Sequence, residues 1–119
     1  MHVPTGYRKL ASAASEFFAA IGGHFCAEYW GDNEEGEIYF LGSQSSRLMM
    51  RGKVVGGKLE QFEFTIHDGE IPLSVFWVRA NCPRDTMEKL FADLWQGLGL
   101  PPTKAPAFVG VQRELAKLL

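Results

Sequence analysis

The side chains with most chemical scope here are a thiol, two imidazoles and three small groups of charges. Cys82 lies in Asn81-Cys82-Pro83-Arg84-Asp85, just ahead of a predicted helix start and near an arginine. Both features favour a thiolate, so a reactive Cys82 is chemically reasonable. A nucleophile also needs a base, and His24 and His67 are the histidines in predicted ordered regions. His67 is expected in a turn, at the opposite end of the strand that leads to Cys82. His24 and Cys26 stand two apart on a predicted strand, hence on one face, yet a metal would need further ligands. The turn Asp32-Asn33-Glu34-Glu35-Gly36-Glu37 could attract calcium but lacks the EF-hand spacing. P-loop, G-x-S-x-G, H-E-x-x-H and dinucleotide patterns are absent. The sequence therefore nominates no catalytic residue, metal ligand or cofactor, and leans away from an enzyme.

Two other groups suggest binding. Glu60, Trp77 and Arg79 fall together at one end of the predicted core face. A carboxylate, an indole and a guanidinium there could orient a small polar ligand at the mouth of a cavity. Arg47, Arg51 and Lys53 alternate along one predicted strand, with Lys58 just past its turn. Basic residues of this kind suit a single-stranded nucleic acid when aromatics flank them for stacking. No such aromatic cluster is in register, and Glu63 is expected opposite Arg51.

These residues must be positioned by elements whose apolar periods are legible. Tyr7, Leu10, Ala14, Phe17, Phe18 and Ile21 recur at helical steps, with Thr5 as a possible cap and Gly22-Gly23 as the stop. From His24 to Ala80 the period becomes two. Strands are expected around His24–Trp30 and Glu37–Leu41, followed by three more joined by short turns. A three-residue loop, Gly56-Gly57-Lys58, would pair Val55 with Leu59 and set Arg51 opposite Glu63. A four-residue loop, His67-Asp68-Gly69-Glu70, would pair Ile66 with Ile71 and keep Pro72 out of a hydrogen-bonded position. That pairing gives Leu73, Val75 and Trp77 to the core face and Phe76, Val78 and Ala80 to the other. After Cys82-Pro83, Met87, Leu90, Phe91, Leu94, Trp95 and Leu98 mark a second helix. Asp85 and Glu88 are a candidate capping box, and Gly97 and Gly99 are candidate stops. Phe108, Val111, Leu115 and Leu118 mark a third helix over Ala107–Leu119.

The expected fold is α+β: an N-terminal helix, a five-stranded antiparallel meander and two C-terminal helices, α-β-β-β-β-β-α-α, as one domain over residues 1–119. OB barrels and RRM domains have other element orders. The last strand is apolar on both faces, which a one-sided antiparallel sheet should not be. Its second face, with Phe76, Val78 and Trp30, is therefore expected to meet helices or a partner.

Composition bounds the rest. The chain has 119 residues, 46% hydrophobic and 22% charged, which excludes disorder. Scaling laws give about 6,500 Å² of folded surface, with roughly two thirds of the unfolded surface buried. A net charge of −2 argues against nucleic acid and anionic membranes. No apolar run approaches a bilayer span, and the start shows no secretory pattern. Two cysteines without metal spacing fit free thiols in the cytoplasm. The leading functional expectation is a non-catalytic interaction or regulatory domain, engaging a protein partner or pairing with itself through that second face. A small-ligand domain follows, then a single-stranded nucleic-acid binder.

Overall fold

The computed structural model describes residues 6–23, 25–33, 36–42 and 47–119, with side chains at 30–33 and 36 left aside. Its elements run α1 (Tyr7–Ala20), β1 (Ala27–Asn33), β2 (Gly36–Leu41), β3 (Leu48–Val55), β4 (Lys58–Asp68), β5 (Ile71–Arg79), α2 (Arg84–Leu98), a 3₁₀ turn (Pro102–Lys104) and α3 (Ala105–Leu118). The expected order and the five-stranded antiparallel meander are both present, with strands neighbouring in sequence order.

The helices are made by their apolar stripes. Leu10, Ala14, Phe17 and Phe18 of α1, Met87, Phe91, Leu94 and Leu98 of α2, and Phe108, Val111 and Leu115 of α3 all join one core. From the sheet that core takes Tyr39, Leu41, Leu48, Met50, Phe62, Phe64, Ile66 and Val78. The buried stripes of all three helices therefore face one side of the sheet. Aromatic rings knit the layers: Phe91 meets Phe64 and Phe108 edge-on, and Trp95 stacks on Phe108 at 5.4 Å.

Helix ends differ in detail from expectation. Thr5 lies outside the described residues, and Gly6 (φ 91°) precedes α1. Pro83 stands at the N-cap of α2, placing Asp85 inside the first turn, so the Asp85/Glu88 capping box is not formed. Gly99 (φ 61°) closes α2 in the left-handed conformation that glycine tolerates. Gly97 is instead within the helix. A Cβ there would lie 3.0 Å from Ile66 Cδ1, so its role is close helix–sheet approach.

Both argued turns are corrected, each by a one-residue bulge. Between β3 and β4 the loop is two residues, Gly56-Gly57, with φ 59° and 77°. Positive φ at both positions is what a tight hairpin turn matching the strand twist requires. Val55 thus pairs with Lys58 and Val54 with Leu59, and Glu60 is left over before Lys53 meets Gln61. The spare residue restores the expected register beyond it, so Arg51 still opposes Glu63 and Met50 opposes Phe64. Between β4 and β5 the loop is Gly69-Glu70, Asp68 pairs with Ile71, and His67 with Pro72. His67 gives its N–H to the Arg47 carbonyl in the opposite direction, at 2.7 Å. Pro72 therefore occupies a position where a missing N–H leaves no gap in the ladder. Leu73 is then the spare residue, and Ser74 pairs with Ile66.

That bulge exchanges the faces of β5, because a one-residue slip moves every side chain to the other side. Phe76 pairs with Phe64 and Val78 with Phe62, on the core side. Val78 is 2% exposed. Val75 and Trp77, expected inside, are on the outside.

Candidate functional site

The outer sheet face is assembled from alternate residues of β2, β3, β4 and β5. Phe40, Arg51, Glu63 and Trp77 form one cross-strand row, and Met49, Thr65 and Val75 another. On its inner strands this face is self-satisfied. Arg51 Nη2 donates to Glu63 Oε1 at 2.6 Å, and Gln61 Nε2 donates to the same oxygen at 3.1 Å. Thr65 and Phe40 are buried by their neighbours.

Its outer strand is different. Ile71, Leu73, Val75 and Trp77 are 65%, 59%, 55% and 49% exposed, although β5 is as apolar as an interior strand. Arg79 lies over the Trp77 ring at 5.0 Å, a cation–π contact at one end of the strip. The exposed apolar strip on this edge strand is thus made of residues other than Trp30, Phe76 and Val78. Phe76 is half-buried against α2, Val78 is interior, and the Trp30 side chain lies outside those described. The signal for Leu73, Val75 and Trp77 was in the sequence as the doubly apolar strand. Its sign was fixed by a bulge.

The other expected groups are placed as follows. Trp77 and Arg79 are on the outer face and exposed, and Glu60 is the exposed bulge residue, so the three do not rim a cavity on the core side. Of the basic stripe, Arg51 is held by Glu63, and Arg47 Nε donates to the Leu98 carbonyl at 3.1 Å, capping the end of α2. Lys53 pairs in the ladder with Ile38 and Gln61. Two of the three cations, Arg47 and Arg51, are thus committed to structure.

Cys82 is half-buried and its thiol donates to the Pro83 carbonyl at 3.5 Å. His67 is at the end of β4, not in a turn, and is 4% exposed with neither ring nitrogen hydrogen-bonded. The Pro72 and Arg79 ends of β5 are seven residues apart, about 23 Å along a strand. That separates His67 from Cys82. His24 lies outside the described residues. Cys26 is exposed; desolvation and the Glu28 carboxylate that accepts its S–H at 3.6 Å push its thiol pKa up, away from reactivity. Among the described residues no group of three or more His, Cys, Asp or Glu could hold a metal ion, and no helix is long and apolar enough to cross a membrane.

A groove of about 640 Å³ runs between α2 and α3. Its floor is Met87, Phe91 and Val109, and Arg84, Arg113 and Lys117 stand at its rim. Glu114 lies 3.9 Å from Arg113 and 3.4 Å from Lys117, so two of these cations are already partly balanced. Compared with protein families, with curated proteins and with solved structures, the chain matches none.

Proposed function

We propose that this protein is a non-catalytic interaction or regulatory domain whose working surface is the outer face of β5. The supporting observation is the strip Leu73, Val75 and Trp77, each about half exposed or more, at and beyond the bulge of one edge strand. Scattered apolar side chains on a surface need no explanation, but a contiguous strip is characteristic of a docking surface. The buried stripes of the three helices join the core on the opposite face, so among the described residues no helix covers it. The setting we infer is the cytoplasm, supported by two free thiols.

Site-specific photo-crosslinking in cells that make the protein tests this. A benzophenone side chain at Leu73 should give a protein adduct that disappears when Trp77→Lys is added. The same group at exposed Lys89 of α2 should give none. Absence of any adduct from position 73, or an equal one from 89, overturns the reading.

A further inference from the structure

We propose that the occupant of this surface is a second copy of the chain, joined edge to edge through antiparallel pairing of the two β5 strands. This rests on the reading of β5 as the interaction surface and adds what covers it.

The direction of the backbone groups carries the inference. Ala80 donates its N–H to the Glu60 carbonyl at 2.8 Å, and pairing is unbroken from Gln61–Arg79 to Ile66–Ser74. Backbone groups alternate in direction along an antiparallel ladder. Ser74, Phe76 and Val78 therefore bond to β4, while Val75, Trp77 and Arg79 direct their N–H and C=O groups away from the sheet. β5 is the last strand, so among the described residues no strand receives them. The Arg79 carbonyl already accepts the Cys82 N–H at 3.2 Å. Both groups of Val75 and of Trp77 stay open, beside the apolar strip.

Those four groups are self-complementary. A two-fold axis through Phe76 sets Val75 opposite Trp77 of the second copy, and the reverse. Each such pair exchanges two hydrogen bonds between groups that no described strand meets. On the outer face it makes a β-branched–aromatic cross-strand pair, among the favourable ones. On the inner face it lays each half-buried Phe76 against its counterpart. Farther out, the acidic turn bearing Asp68 and Glu70 runs toward the Arg79–Arg84 end of the other copy. The charges at the two ends of the interface are thereby opposite in sign. Pairing stops at the Leu73 bulge and at Pro72, which cannot donate, so the interface is finite.

Sedimentation equilibrium of the full chain between about 1 µM and 1 mM should show a dimer of twice 13.3 kDa. Val75→Pro removes an N–H that β4 does not use, so it should leave the fold intact yet weaken the dimer at least about 100-fold. Val75→Ala should remain dimeric. Amide exchange on the unmodified protein is independent of any variant. Val75 and Trp77 amides should become protected as the dimer forms, although no described strand of the same chain receives them. A monomer throughout the range, a dimer untouched by Val75→Pro, or fast exchange at Val75 and Trp77 in the dimer overturns the pairing. A monomer that still gives a heavier crosslinked adduct from Leu73 would leave the docking surface standing and reject only the second copy.

Discussion

Tyr7 places its phenol in the core, where the hydroxyl has no hydrogen-bond partner among the described residues. Burial, with Tyr39 nearby, raises its pKa far above the ordinary phenol value, so it stays neutral. The same hydroxyl lies 3.0 Å from where a Cβ on Gly52 would stand. Gly52 is thus the space that admits the Tyr7 ring beside Tyr39, whose centroid is 5.2 Å away. Tyr7→Phe should be neutral or stabilising by about 1 kcal/mol, since it deletes a buried polar atom that bonds nothing. Gly52→Ala should cost about 1–3 kcal/mol through crowding, and less in the Tyr7→Phe background. Urea unfolding of the four proteins measures both. A loss above 1 kcal/mol for Tyr7→Phe alone would show that the hydroxyl is bonded after all.

At the scale of elements, the bulge at Leu73 decides which face of β5 is which. Deleting Leu73 should leave a regular ladder, with Ser74 still opposite Ile66 and Phe76 and Val78 still inside. The expected cost is about 1 kcal/mol or less, because the lost side chain is mostly solvated. Deleting Arg51 from the unbulged middle of β3 should invert the residues on one side of it and abolish cooperative unfolding. Equal tolerance of the two deletions would mean that register is not what holds these faces. The same feature explains what was legible beforehand. Helix and strand identities, their order and the Arg51–Glu63 pair all follow from periodicity and cross-strand charge, which act over many residues. Loop length does not, because Gly56-Gly57 with a spare Glu60 and a longer loop without one give the same register at Arg51. For β5 that degeneracy was decisive. Leu73, Val75 and Trp77 are as apolar as Phe76 and Val78, so hydrophobicity could not choose between them. Pro72 restricted the start of the strand but left open whether a four-residue loop or a bulge satisfied it. Val75 and Trp77 were therefore expected on the core side of β5 and lie on its outer side.

Across the whole molecule, the surface of 6990 Å² exceeds the roughly 6,500 Å² that scaling gives for this mass. The radius of gyration, 13.4 Å, is close to the roughly 13.5 Å of a compact domain this long. A sheet with its helices gathered on one side has that character: compact, with one broad face in water. Helix α1 packs along α3, with Phe17 against Phe108 at 5.2 Å. A Cβ on Gly6 would stand 3.3 Å from Leu118, so the first and last described turns are neighbours. The fold is in effect a closed ring with a nick at that point. Joining Gly6 to Leu119 through a few glycines and reopening at Gly56-Gly57 should give a circular permutant within about 2 kcal/mol of the parent. Reopening within β4 should give none that folds. Chain order, on this view, is a convention of where the ring was cut, and the meander and its open edge would persist with β4 as the first element.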